Sequence, residues 1–265
     1  RQLDTSASGA RAGLVFTQQP RLSLRDIDNN LVPVNASISA TSVTTLTGTT
    51  LSEIVDGYAT FSNLAFESNA SAKTLSYRVT APAQFTSFST SQSIFLNAGV
   101  PFKLVWGSNA SNQIAGTAQA ATRVIVIQDQ WNNATSQSST ISVQVRRVSS
   151  TDSDQVIATQ ATYTVSPFAT SVSLTANDSV VQKVGSYRFR AVSSGLVDAL
   201  STVFAITNAS AHKLAVIQDV PSTIGSRVSI SPTVQLEVRD QYDNPVIDKN
   251  LSLSATVISG SALSI

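Results

Sequence analysis

Seven of the fourteen asparagines stand in the N-x-S/T pattern that accepts an N-linked glycan: Asn35, Asn69, Asn109, Asn133, Asn177, Asn208 and Asn250. Ser and Thr supply 70 of the 265 residues, and chance in such a composition gives roughly four such triplets. The chemistry is attachment of a sugar to the side-chain amide, which requires a turn or strand end from which a bulky group projects into water. Covalent glycans are therefore expected, and no other cofactor is.

Other chemistry-bearing residues are sparse. Asp26, Asp28 and Asn30 imitate the start of a calcium loop, but Leu31 replaces the glycine such a loop needs and Ser37 stands where its terminal Glu belongs, so a hairpin turn is expected and no metal site. His212 is the single histidine and has no assignable carboxylate or nucleophile, while Glu53, Asp56 and Glu67 form no recognisable acid–base pair. No phosphate loop or GxSxG elbow occurs, and no enzyme activity is expected. Trp131 and Tyr242 are candidates to stack on a surface carbohydrate, although an aromatic at a turn more often packs on a neighbouring domain.

Composition narrows the class further. Cysteine and methionine are absent, which leaves no thiol chemistry or disulfide framework and marks the chain as a processed product or an excerpt. Net charge is +1 with 12% charged residues and no basic stripe for nucleic acid, against about 25% charged in ordinary soluble domains. No apolar run is long enough to insert into a membrane, and the first thirteen residues lack the apolar stretch of a secretory signal, so any such signal has been removed. Hydroxyls and amides must keep this surface wet, and a weakly charged surface favours self-association unless glycans cover it.

The elements that would position these residues are strands. Alternating runs at Arg21–Arg25, Val34–Ala40, Lys73–Val79, Arg123–Ile127, Ile141–Val145 and Val234–Val238 are separated by Gly, Asn, Asp and Ser clusters, and no convincing helix appears. Three of these runs end in D-x-x-x-N: Asp26 to Asn30, Asp129 to Asn133 and Asp240 to Asn244, at intervals of 103 and 111 residues. In each, the Asp is expected to accept hydrogen bonds from the turn backbone and the Asn to tolerate a left-handed conformation, closing a hairpin. A second recurrence, Ser-Tyr-Arg around Tyr77 and Tyr187, resembles the tyrosine corner of a β-sandwich, in which the hydroxyl ties back to the backbone. A third lies at the junctions, where a closing strand runs into Lys103-Leu104 or Lys213-Leu214 through a linker too short for loose stringing.

With Ala115-Gly116, the Gly57-to-Leu64 segment and Phe95 added, these motifs resemble the tandem immunoglobulin-like (Ig-like) repeats of large bacterial surface proteins and their filamin-like relatives. The resemblance covers residues 13–258, departs at Ala161-Thr162-Tyr163, and implies an all-β fold of tandem Ig-like β-sandwiches. Residues 1–12 are expected as an N-terminal extension and possible donor strand, 13–99 as domain 1, 100–209 as domain 2 and 210–265 as a partial domain 3. Half a sandwich exposes its core, so either the chain continues or a neighbouring subunit completes it by strand addition. The function expected is a glycosylated extracellular or cell-surface filament subunit whose partners are copies of itself, joined head to tail. The alternative is an adhesin stalk or ligand-binding module of a longer surface protein.

Overall fold

The computed structural model describes residues 2–119, 122–149, 154–175, 180–223, 225, 227–247 and 252–254. In chain order the strands are β1 (Gln2–Thr5), β2 (Arg21–Ser23), β3 (Ser37–Thr41), β4 (Leu46–Thr47), β5 (Leu51–Val55), β6 (Tyr58–Thr60), β7 (Ala65–Phe66), β8 (Ser71–Ala81) and β9 (Ser89–Leu96). There follow β10 (Lys103–Trp106), β11 (Gln113–Ile114), β12 (Arg123–Gln128), β13 (Ser139–Arg147), β14 (Gln155–Val165), β15 (Ser171–Leu174), β16 (Gly185–Val192), β17 (Ala199–Leu200) and β18 (Phe204–Thr207). Two more, β19 (Lys213–Gln218) and β20 (Gln235–Arg239), belong to a third unit. One 3-10 turn at Ala83–Phe85 is the only helical element among the described residues.

Period-two alternation decides these elements. β8 points Leu75, Tyr77 and Val79 inward and Thr74, Arg78 and Thr80 outward; β13 buries Ile141, Val143 and Val145 between half-exposed Ser142, Gln144 and Arg146. Each face therefore has one apolar side, and two such sides must meet.

In domain 1 they meet as β1-β2-β6-β5 against β3-β8-β9, the two-sheet division of an Ig-like sandwich. β5 serves both sheets, pairing with β3 through Leu51–Glu53 and with β6 through Ile54–Val55. In domain 2, β10-β12-β15 opposes β11-β18-β16-β13-β14, with β11 running parallel to β18. Each domain has its own aromatic-rich core. Phe16 meets Phe66 at 5.3 Å and Phe61 meets Tyr77 at 5.9 Å in the first, while Phe189 stacks on Phe204 at 4.8 Å in the second. Arg123 is buried there, its guanidinium 4.2 Å from the Phe189 ring centre. The chain is thus an all-β protein of tandem Ig-like sandwiches, two near-complete and the third incomplete in what is described.

The third unit is a two-stranded antiparallel sheet, β19 with β20, aligning Leu214 with Val238 and Val216 with Leu236. Leu214, Val216 and Leu236 are 49%, 58% and 42% exposed, so its apolar side meets no second sheet among the described residues.

Two expectations are corrected. The expectation of residues 1–12 as an extension ahead of domain 1 gives way: residues 2–12 belong to that domain, since β1 pairs with β2 inside its sheet and Ala7, Ala10 and Ala12 are buried in its core. Strand Gln2–Thr5 is spent in its own domain and is no free donor. Second, the left-handed residue of each D-x-x-x-N turn is the fourth, Asn29, Asn132 or Asp243, with φ of 66°, 68° and 63°. The terminal Asn has another task.

Candidate functional site

The three D-x-x-x-N turns make one set of internal bonds. In the second, the Asp129 N–H donates to the Asn133 carbonyl at 3.0 Å, Oδ1 accepts from the Trp131 and Asn133 N–H groups at 2.9 Å each, and Oδ2 accepts from Asn133 Nδ2 at 2.8 Å. The third repeats this with Asp240 at 3.0 Å, 2.8 and 2.9 Å, and 2.8 Å. The first does so with Asp26 at 3.0 Å, 3.0 and 2.8 Å, and 3.1 Å. A short carboxylate with four lone-pair sites folds the turn, and one site remains over.

At the junctions that remaining capacity crosses between domains. Asp129 Oδ2 accepts the linker N–H of Gly99 at 2.7 Å; Asn133 Oδ1 accepts the N–H of Ala70 in domain 1 at 2.5 Å and Nδ2 donates to the Ser68 carbonyl at 3.3 Å. At the next junction Asp240 Oδ2 accepts the Ala209 N–H at 2.9 Å, while Asn244 Oδ1 takes the Val184 N–H at 3.0 Å and Nδ2 donates to the Gln182 carbonyl at 2.7 Å. The side-chain amide thus imitates a peptide group and adds one rung to the preceding domain's loop backbone. Both pairs are buried, at 0% and 8% exposure for Asp129 and Asn133 and 0% and 3% for Asp240 and Asn244.

An aromatic ring backs each clamp. Trp131 packs against the core of domain 1, and a Cβ added at Gly13 would lie 1.8 Å from its Cη2. Tyr242 packs against domain 2, and a Cβ at Gly116 would lie 1.9 Å from its hydroxyl. Gly13 and Gly116 have φ of 70° and 78°, so both conformation and space demand glycine. A Lys closes the outside: Lys103 donates to Asn132 Oδ1 at 2.6 Å, Lys213 pairs with Asp243 at 2.7 Å, and Lys183 of domain 2 reaches the Tyr242 carbonyl at 2.5 Å.

The electrostatics follow the bonds. Burial pushes the Asp240 carboxyl up, but hydrogen bonds from the Asn244 side chain and backbone, Ala209 and Tyr242 outweigh it and bring it down to about 2. Asp26 is lowered, first by the Asn30 side-chain amide and then by the turn backbone, and Asp243 is lowered by Lys213.

The tyrosines differ. Tyr187 donates to the Lys183 carbonyl four residues upstream at 2.9 Å, the tie of a tyrosine corner, and burial raises its hydroxyl. The Tyr77 hydroxyl accepts from Gln92 Nε2 at 3.2 Å, a side-chain contact on β9.

Among the sequons, Asn35, Asn69 and Asn109 are exposed and Asn208 half-buried, whereas Asn177 and Asn250 lie outside the described residues. Asn69 uses its Oδ1, accepting from Ser68 and from buried Lys73 at 3.0 and 3.1 Å, and makes neither bond with Nδ2, the atom a glycan takes. Asn133 is corrected as a glycan site: its Nδ2 is buried, with one hydrogen donated across the junction to the Ser68 carbonyl and the other to Asp129 within the turn.

No group of three or more metal-ligating His, Cys, Asp or Glu occurs among the described residues. His212 is exposed, its backbone N–H donating to the Arg239 carbonyl at 2.8 Å. Glu53, Asp56 and Glu67 are exposed on separate segments of domain 1. No helix among the described residues is long and apolar enough to cross a membrane.

No protein-family pattern matches this chain and no curated protein matches it. Among solved structures it is similar to Yersinia pseudotuberculosis InvD, at 18% identity and TM-score 0.36, covering 91% of this chain and 71% of that one. It is similar also to FdeC, an Escherichia coli adhesin, at 16% identity and TM-score 0.38, covering 94% and 78%. The D0-D1 domains of intimin match at 14% identity and TM-score 0.25, covering 77% and 97%. At these scores the likenesses carry no argument about function, which rests on the junction geometry.

Proposed function

We propose that this chain is a structural, non-enzymatic module of an extracellular or cell-surface protein, in which Ig-like sandwiches are locked end to end into a stiff rod. One observation carries the reading: both junctions use the same Asp and Asn atoms to bond the preceding domain's loop and linker. A chain of freely swinging beads has no need of buried, fully engaged amides at each joint. Such a rod spaces something else away from a surface, the role of an adhesin stalk.

Glycans at Asn35, Asn69, Asn109 and Asn208 complete the proposal, since they supply the hydration that few charges give. A second reading, a subunit of a head-to-tail filament made of copies of this chain, is favoured by the apolar side of β19 and β20, which nothing among the described residues covers. In it the strands that cover that side come from a neighbour, but not from β1, which is already paired.

Negative-stain micrographs of the purified chain test both. Uniform straight particles support the stalk, long fibrils shift the assignment to the filament, and beads at random angles refute the locked rod.

A further inference from the structure

The geometry points to the Asp26–Asn30 turn as a third clamp, one that holds an Ig-like domain placed ahead of Arg1 in the same polypeptide. The inference deepens the locked-rod reading and rests on it.

The turn is fully built, with the same internal bonds as the two engaged copies. Yet Asp26 and Asn30 are exposed, where their four counterparts are at most 8% exposed. Among the described residues nothing meets Asn30 Oδ1, the atom that in Asn133 and Asn244 takes an N–H from the preceding domain. Ile27, beside it, is 99% exposed. A hairpin needs the Asp; it does not need an outward-facing amide held in position by Asp26 Oδ2.

Sequence spacing identifies what is missing. The linker N–H that the Asp accepts comes 30 residues before Asp129 and 31 before Asp240. In both cases it lies in the linker from the domain that precedes the Asp in the same chain, and the third clamp is assigned a partner of the same kind.

The two filled sockets define the third. It consists of a carbonyl and an N–H two residues apart on the preceding domain's loop, as in Ser68 with Ala70 and Gln182 with Val184, followed by a linker N–H. Asp28 replaces the ring of Trp131 or Tyr242, so this clamp presents a carboxylate where the others present an apolar face. It suits a socket carrying a basic side chain between its two backbone groups, the place Lys183 holds in domain 2.

The test places residues 100–214 ahead of Arg1 of the full chain, which puts Asp26 at the spacing of Asp240 from a complete domain 2 socket, Lys183 included. Small-angle scattering is recorded for this extended chain, with and without Asn30→Ala in its full-length part, and for Asn133→Ala at the internal junction. The expected result is a longer rod with one sharp distance distribution, broadened by Asn30→Ala as much as by Asn133→Ala, while Asn30→Ala in the unextended chain changes nothing. An added domain that swings freely with Asn30 in place, while Asn133→Ala still loosens its own junction, overturns the third clamp alone. If Asn133→Ala has no effect either, the locked-rod reading falls and this inference with it. Should Asn30→Ala lower the melting temperature of domain 1, Asn30→Gln, which keeps an amide but displaces it by one methylene, is used under the same criteria.

Discussion

At the scale of single residues, each junction depends on an amide doing the work of a peptide bond. Asn133→Ala leaves the Ala70 N–H without its acceptor and takes a donor from the buried Asp129 carboxylate. The expected cost is about 1–3 kcal/mol at that junction, seen as faster amide exchange at Ala70 with the strand amides of both sandwiches unchanged. Gly13→Ala drives a methyl into the Trp131 ring at a backbone angle that disfavours any side chain; a loss of about 1–3 kcal/mol is expected in thermal melts. Asp240 adds a pH dependence. Its carboxyl sits at about 2 against an ordinary 3.8, so its contribution is present in full above the ordinary value and is lost as pH falls toward 2. Titrating the chain from pH 5 to pH 2 should therefore loosen the second junction, read from Ala209 and Val184 amide shifts. The Asp side of this device was legible, because a carboxylate before a turn has a local partner. The Asn side was not: its partners are 60 to 65 residues away in chain order, and no local pattern announces them.

At the scale of elements, alternation revealed most strands, and it failed where an element was short or lay at an edge. β1 is four residues long with an Asp at its third place, too little to show a period, although Leu3 opposite Leu22 occupies the place of Trp106 opposite Ile125. Ala161-Thr162-Tyr163 was legible as a departure from the repeat, and the reason is that β14 pairs with β13 beside the other sheet. Phe95, quoted for its place in a repeat motif, faces solvent at 63% exposure, because its inward neighbours on β9 are Ile94 and Leu96. The two tyrosines looked equivalent in sequence and separate in structure. Tyr187→Phe removes a bond to backbone, with an expected loss of about 0.5–1.5 kcal/mol in domain 2. Tyr77→Phe removes a contact with the Gln92 side chain, which keeps its bond from the Ala7 N–H, and should cost domain 1 less in the same denaturant titration.

At the scale of the molecule, 12% charged residues and a hydroxyl-rich surface imply weak mutual repulsion, and the sequons offer a remedy. Intact mass before and after deglycosylation of protein from a glycosylating host should show sugar at exposed sites and none at Asn133, which is buried within a junction. The repeat itself was readable from three turns, but what the repeat does was not, since a turn motif looks the same whether it only closes a hairpin or also grips a neighbour. The grip is the central claim, and residual dipolar couplings measured on domains 1 and 2 of the full chain test it directly. Couplings from both sandwiches should fit a single alignment tensor, and Asn133→Ala should split them into two. Two independent tensors in the unaltered chain would contradict the account.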